Sequence, residues 1–277
     1  MFKKIFVITA LILFVSSNCF ALSVGNTSDP KTPYGPGISD LKASGMGPIK
    51  VGFDFDWIFE KDLDADSSTI SSETTEGQTY LIKIGYNFAD RFEPYVKLGF
   101  SHYKTDWSLG STATDNYKVR GENALAYGIG GKVLVFDSQD KGIRVTLDGQ
   151  LFYTNPDIEE ADVGPLPNRS VTSTEYEISQ WQIVGIISKE FLLNPDGSNP
   201  AAPYSIIPYV GGGYSDSKTN VQFTYAGTDY ALDDAENDNK FILITGCDIT
   251  SPEDMALNIE GRWVGETAAS GGLTVKF

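Results

Sequence analysis

Residues 49–60 read Ile-Lys-Val-Gly-Phe-Asp-Phe-Asp-Trp-Ile-Phe-Glu, and this stretch decides the fold. Its odd-numbered positions are all apolar, while its even-numbered positions are mostly charged. Side chains alternate between the two faces of a β-strand, so the stretch predicts a strand with one apolar face and one charged face.

Nine further runs repeat this alternation, so the sequence predicts ten strands. Most runs reach the roughly 9 to 11 residues that a tilted membrane strand needs, which exceeds the usual strand length of about 5 or 6. Alternation alone also fits a soluble sandwich or a lipocalin-like barrel. The ten runs lie near residues 48–60, 77–88, 92–105, 121–136, 142–154, 174–190, 204–217, 239–249, 255–265 and 270–277.

The connections between these runs alternate in length. Short turns are predicted at 89–91, 137–141, 192–203 and 250–254. Long loops are predicted at 62–76, 106–120, 156–172 and 218–238. Membrane barrels place short turns on the periplasmic side and longer loops outside, so this alternation favours a membrane barrel.

The chain ends on Phe277, with Val275 and Leu273 in phase behind it. This ending resembles the assembly signal of bacterial outer-membrane β-barrels, which is a terminal Phe behind alternating apolar residues. Aromatic side chains also gather toward the strand ends, as in the two interfacial girdles of such barrels. The resemblance implies an all-β fold: a transmembrane antiparallel up-and-down β-barrel of about ten strands, within a range of 8 to 12. It also implies a place in the bacterial outer membrane and recognition by the barrel-assembly machinery.

The chain divides into three predicted parts. Residues 1–21 carry Lys3 and Lys4, an apolar block and the sequence Cys-Phe-Ala, which together predict a cleaved signal peptide. Residues 22–47 are rich in proline and glycine and predict an extended N-terminal segment, either a tail or a plug. Residues 48–277 form the predicted barrel.

Composition excludes some functions. The formal net charge of −16 becomes −18 when residues 1–21, which hold two lysines and no acid, are removed. A strongly acidic chain is a poor binder of phosphate backbones, so we expect no nucleic-acid partner. Cys247 is the only cysteine after residue 21, so no disulfide can form within the exported chain.

The polar faces of the predicted strands place charges of both signs inside the barrel. A ten-stranded barrel is narrow, so opposite charges in its lumen are expected to pair, either as a structural network or along a narrow water-lined path. The predicted network comprises Lys50, Asp54, Asp56, Lys83, Lys97, Lys132, Arg144, Asp148, Glu260 and Arg262, with Glu60 and Lys276 at its ends.

Catalysis has little support in the sequence. His102 is the only histidine, and histidine is the commonest general base at neutral pH. Omptin proteases, which are also ten-stranded, carry Asp-x-His, but position 100 is Phe. Outer-membrane phospholipases and deacylases carry His-x-Ser, but position 104 is Lys. We therefore expect that this protein is not an enzyme and binds no cofactor.

One acidic segment has the spacing of a calcium loop. Asp62, Asp64, Asp66 and Glu73 occupy positions one, three, five and twelve of an EF-hand pattern. The glycine of that pattern is replaced by Ser67, and no flanking helices are predicted. The alternative is a solvated acidic loop. Apart from this pattern, the sequence predicts no metal site.

Three functions fit these observations. The first is an outer-membrane structural or surface-interaction protein, or a narrow small-solute pore. The second is an outer-membrane hydrolase, and the third is a soluble periplasmic ligand-binding barrel. For the first, the expected partners are outer-membrane lipid, lipopolysaccharide and a surface ligand bound by the long loops.

Overall fold

Ten long strands dominate the computed structural model, which describes residues 24, 49–64, 70–88, 91–109, 115–164, 166–169, 171–193, 204–225, 227–251 and 255–277. The long strands are β1 (Ile49–Glu60), β3 (Ile70–Tyr86), β4 (Phe92–Leu109), β6 (Ala124–Ser138), β7 (Ile143–Thr154), β10 (Thr172–Lys189), β12 (Ser205–Tyr225), β14 (Phe241–Thr250), β15 (Met255–Trp263) and β16 (Thr267–Lys276). Six further strands lie outside this set of ten: β2 (Leu63–Asp64), β5 (Asp115–Gly121), β8 (Ile158–Val163), β9 (Leu166–Arg169), β11 (Phe191–Leu192) and β13 (Thr228–Asn237). In the described part of the chain, no helix is long and apolar enough to cross a membrane.

The ten long strands pair antiparallel with their neighbours and close into a barrel. Closure joins β1 to β16, in a register that places Lys50 opposite Lys276 and Phe53 opposite Leu273. The backbone N–H of Phe277 donates to the carbonyl oxygen of Ile49 at 2.8 Å. A closed barrel leaves none of its ten wall strands with an unpaired edge. The predicted ten-stranded antiparallel β-barrel is confirmed.

The predicted assignment of side chains to the two faces also agrees with the structure. On β1, Phe53 and Trp57 are exposed on the outside, whereas Lys50, Asp54 and Asp56 are buried in the lumen. One detail differs: a register shift between Ile58 and Glu60 interrupts the pairing of β1 with β16. Ile58 is buried while Glu60 is half-buried, so Glu60 departs from the predicted lumen face.

The two ends of the barrel are built differently. One end, which we call the turn end, holds the first and last barrel residues and the 3₁₀ turn Gln139–Lys141. At the opposite end, which we call the loop end, several strands run further than predicted. β3 begins at Ile70 rather than at 77, and β12 continues to Tyr225 rather than ending at 217. The predicted strand ends were wrong here because alternation of outward apolar residues stops before backbone pairing does.

The extra strands form a structure that we call the crown, consisting of β2, β5, β8, β9, β13 and the loop-end portions of β3, β4, β10 and β12. On one side β5 pairs with β4 and β8, and β8 pairs with β9. On the other side β13 pairs with β12 and β2, and a bridge from Asp62 to Thr74 returns to β3. The segments predicted as long loops therefore contain a β-sheet wall that continues the barrel.

Candidate functional site: the barrel interior and the crown

The outer wall of the barrel carries a band of exposed apolar side chains. Examples are Ile82, Leu98, Ile129 and Ile183, each more than half exposed. A soluble barrel places its apolar face inside, because large exposed apolar areas are unfavourable in water. The described residues show the reverse arrangement, with apolar side chains outside and charges inside, which is the pattern of a membrane barrel.

Near the turn end, lysines converge on single carboxylates in the lumen. Lys50 pairs with Oε2 of Glu93, and Lys83 Nζ lies 3.6 Å from Oε1 of the same carboxylate. One layer further in, Lys97 Nζ lies 3.4 Å from Asp54 Oδ2. All five side chains are at least nine-tenths buried. Because each charge has a close partner, the interior avoids most of the desolvation cost of an isolated buried ion.

An aromatic hydroxyl links the next layer of this network. Tyr95 donates to both carboxylate oxygens of Asp148, at 3.2 and 3.0 Å. Lys132 lies directly opposite Asp148 in the β6–β7 pairing. Lys83 Nζ lies over the Tyr95 ring, 4.1 Å from its centroid, in cation–π geometry. Tyr95 therefore links the buried Lys83 cation to the Asp148 carboxylate.

Arg262 is the centre of the charge cluster nearer the loop end. Its Nη2 donates to both oxygens of Asp56, at 2.7 and 2.8 Å, and its Nε donates to Glu266 Oε1 at 2.7 Å. Nη1 lies 3.4 Å from Glu260 Oε1. The guanidinium is fully buried, so the bidentate contact is formed away from solvent.

A tight turn delivers Glu266 to this cluster. Val264 and Gly265 adopt positive φ values of 66° and 87°, and they reverse the chain between β15 and β16. A Cβ atom at Gly265 would lie 2.3 Å from the carbonyl oxygen of Asn239. Glycine is therefore required at this position, both for its backbone conformation and for the close approach of the chain.

A further ion cluster and a small cavity lie near the turn end of the lumen. Arg144 Nη2 pairs with Glu190 Oε2 at 2.9 Å, and Asp137 lies 3.6 Å from Arg144 Nε. The cavity, of about 10 Å³, is lined by Lys50, Gly52, Lys83, Gly85, Glu93 and Thr274. Such a space holds about one water molecule.

Apart from Glu60, the predicted network residues lie on the inner face, where they meet partners of opposite charge in successive layers. Sequence reasoning missed Glu93 and Tyr95, although both share the phase of Lys97 along β4. It also missed Glu266, which lies in a turn where alternation gives no signal.

The crown has an apolar interior. Trp107 stacks on Tyr117 with ring centroids 5.5 Å apart, and Phe223 stacks on Tyr230 at 5.4 Å. Trp107 and Phe223 meet edge to face at 6.3 Å. This apolar cluster extends from the crown into the barrel, and its buried members are Ile58, Leu63, Leu81, Tyr103, Trp107, Tyr117, Val119, Ala126, Phe152, Ile158, Ala161, Val163, Tyr176, Ile178, Val221, Phe223, Leu232 and Ala235.

The apolar face changes sides along individual strands. In the barrel portion of β4, Val96 and Leu98 face outward and Lys97 faces the lumen. In its crown portion, Tyr103 and Trp107 face inward, each 3% exposed, while the intervening side chains outside are polar. β12 changes in the same way, from outward Val210 and Tyr214 to inward Val221 and Phe223. This inversion marks a change of surroundings from an apolar medium to water.

The outer surface of the crown carries an alternating line of ions. Lys240 Nζ lies 3.0 Å from Asp216 Oδ2 and also contacts Glu236, while Lys218 lies 3.3 Å from Asp234. The hydrogen bond from Lys240 holds the pKa of the Glu236 carboxyl below its usual value, and the pKa of Lys240 is raised in return. The negative charges of Asp216, Asp234 and Glu236 are therefore partly neutralised by the two lysines, although this surface is exposed.

The histidine and the acidic calcium pattern lie in this same region. His102 faces outward, opposite Gln78 on β3. Asp62 and Asp64 are exposed, whereas Glu73 is buried, and Asp66 lies outside the described residues. Among the side chains that the structure describes, no three His, Cys, Asp or Glu residues form a group able to hold a metal ion. Calcium binding stays a prediction.

The C-terminal residues lie on the outer face of the last strand. Leu273 and Phe277 are exposed on the outer face, and Val275 is half-buried there, as their shared phase predicts. Their role in assembly stays a prediction. The predicted signal peptide 1–21 lies outside the described residues, and within 22–47 the structure describes Val24 alone.

The similarity found to known proteins is to solved structures, at TM-scores below 0.5. No protein-family model matches the sequence, and no curated protein matches it. Among solved structures, the translocator domain of the autotransporter NalP from Neisseria meningitidis is 10% identical, with a TM-score of 0.39, over 86% of this chain and 93% of that chain. The outer membrane protein OprG from Pseudomonas aeruginosa is 12% identical, with a TM-score of 0.35, over 84% and 96%. The β domain of the Bordetella autotransporter BrkA is 11% identical, with a TM-score of 0.38, over 84% and 99%. The strand pairing and the side-chain pattern of this chain are what show that it is a barrel.

Proposed function

We propose that this chain is an outer-membrane β-barrel that anchors a folded crown at the bacterial cell surface, with a closed lumen instead of an open solute path. The observation that carries the proposal is the inversion of the apolar face along β4 and β12. Below the inversion the wall is suited to lipid, and above it the crown folds around its own apolar core.

Two features of the interior support a closed lumen. The charges of the barrel portion pair across the interior, as between Arg262 and Asp56 or between Lys97 and Asp54. Above them, Trp107 and Phe223 lie in a packed aromatic cluster. Ions cross apolar constrictions poorly because the constriction cannot replace their hydration. A lumen filled by ion pairs and by an aromatic cluster is suited to a scaffold, because its interior side chains stabilise the fold and leave no open path for solutes.

The proposal also assigns partners. The outer apolar band would contact outer-membrane lipid and lipopolysaccharide, and Phe277 would present the terminal signal to the barrel-assembly machinery. The polar outer surface of the crown would be the part available to a surface ligand. No step in this role requires a catalytic group or a cofactor, and assays on peptide and lipid substrates test the alternative hydrolase function.

Planar-bilayer recording tests the closed lumen directly. The purified, heat-modifiable protein is expected to insert without producing stepwise conductance above that of the lipid alone. Reproducible ohmic steps that scale with salt concentration would instead establish a pore and overturn the proposal.

Protease treatment of intact cells tests the orientation. Cleavage within the crown, at 218–238, is expected only after the packing of the crown has been disrupted, as by Phe223→Ala. Tags inserted at residue 227 should be accessible to antibody. A tag in the turn between β14 and β15 is the matched control, and it should be accessible only after the outer membrane is opened. The opposite pattern would invert the barrel.

A further inference from the structure

The lumen wall contains an aliphatic patch that the charge network does not use. Val184 and Ile186 on β10 and Ile242 and Ile244 on β14 all point inward, and each is at most 1% exposed. Elsewhere at the level of the charge network the described lumen is lined mainly by polar side chains. Four branched aliphatic side chains in such a lumen require an apolar partner to keep water away from them.

The pairing of β12 with its two neighbours shapes this patch into a socket. Gly213 lies between Val184 and Ile242 in one row across the sheet. Gly211 lies between Ile186 and Ile244 in the next row. The two glycines have no side chain, so the aliphatic residues form the walls of a trough whose floor is the β12 backbone.

A polar group closes one end of the socket. Tyr209, the inward residue that precedes Gly211 on β12, donates to Glu260 Oε2 at 3.0 Å. The other oxygen of this carboxylate, Oε1, accepts a hydrogen bond at 3.2 Å from the backbone N–H of Val24. Val24 is fully buried and packs in one cluster with the four aliphatic residues and Tyr209.

We propose that this socket is an intramolecular binding site for the N-terminal segment of the same chain, with Val24 as the apolar anchor and Glu260 as the acceptor that fixes the peptide backbone. The occupant has the two properties that the socket selects, a small branched aliphatic side chain and an adjacent backbone N–H. Only 24 residues separate Val24 from Ile49, where β1 begins. Val24 would thus be a plug residue covalently attached to its own barrel, a role that goes beyond the surface anchor proposed above.

Disulfide trapping tests the proposed contact in the exported full-length protein. In a Cys247→Ser background, Val24→Cys is combined with Ile244→Cys, which faces the lumen, and the folded protein is treated with a mild oxidant. We expect most folded molecules to form the disulfide. The matched control combines Val24→Cys with Leu243→Cys, the next residue on β14, which faces outward. The control should form no intramolecular disulfide.

Absence of the Ile244 disulfide from folded protein, or equal trapping in the control, would overturn the proposal. Folding is checked in each variant by heat-modifiable gel mobility. If Ile244→Cys fails to fold, Ile242→Cys in the neighbouring row takes its place, with the same expected result.

A second experiment measures occupancy without a cross-link. In a Cys247→Ser, Ile244→Cys protein, the thiol should react with a water-soluble maleimide at least tenfold faster when Val24→Asp is added. Val24→Leu is the control and should preserve protection. Equal reactivity in all three proteins would contradict the plug.

These results are independent of conductance. If the wild-type protein conducts and the Val24→Cys, Ile244→Cys protein still forms the disulfide, the closed anchor is refuted and the plug stands. A silent protein without trapping would do the opposite.

Discussion

Replacement of Arg262 by Met should strongly destabilise the barrel. The substitution preserves much of the side-chain volume but removes the guanidinium that contacts Asp56, Glu260 and Glu266. All four side chains are buried, so the three carboxylates would lose the guanidinium that each of them contacts. Removing one partner of a buried ion pair costs about 3–5 kcal/mol, and three partner carboxylates place this variant near the upper part of that range.

Arg120→Met is the matched control, since it removes the same group from an exposed pair. Arg120 Nη1 lies 3.1 Å from Glu160 Oε2, and both side chains are nearly half exposed. Solvent screens such a pair, so the expected loss is about 0–1 kcal/mol.

Urea-dependent folding into lipid vesicles, followed by tryptophan fluorescence and heat-modifiable mobility, measures the difference. Adding Glu266→Gln should recover part of the Arg262→Met deficit at neutral pH, because it removes one of the three negative charges that would otherwise be buried together. Similar losses in Arg262→Met and Arg120→Met would refute the buried cluster as a source of stability.

Three further predictions test the walls, the crown and the chain end. Leu147→Arg on the outer apolar band should lower the free energy of unfolding in vesicles by about 2–4 kcal/mol. Its control is Gln222→Arg, which faces outward on the crown and should lower that free energy by less than about 0.5 kcal/mol. Equal losses would contradict the inversion of faces. Phe223→Ala should cost about 3–5 kcal/mol and expose the crown to limited proteolysis, while Gln222→Ala should leave the digestion pattern unchanged. Deletion of Phe277 removes the backbone bond to Ile49 and the terminal signal, so processed protein without heat-modifiable mobility should accumulate in the periplasm; normal surface exposure of the truncated chain would show that the residue is dispensable.

The sequence alone determined the barrel. Strict alternation in stretches such as 49–60 specifies which side chains face outward, because successive residues of a strand point to opposite faces. It also placed Lys50, Asp54 and Asp56 in the lumen, where the structure has them. The phase of β4 would have extended this assignment to Glu93 and Tyr95, since both lie in step with Lys97.

The pairings among these side chains were decided by the tertiary structure. Which cation meets Asp56 depends on the register of strands that are distant in the chain, and Arg262 reaches it across 206 positions. The crown escaped prediction for a related reason. Its strands lie in water on the outside, so their outward residues are polar and the apolar periodicity that identified the barrel strands is lost there.

Local alternation and the pairing of distant strands determine different features of this protein. Local alternation follows from strand geometry and can be read one residue at a time, so it fixes the two faces of the wall. The crown core and the aliphatic socket arise only when separate strands come together, as when Gly211 and Gly213 fall between the aliphatic residues of β10 and β14. Neither feature exists in any single segment, and closure of the barrel is what creates both.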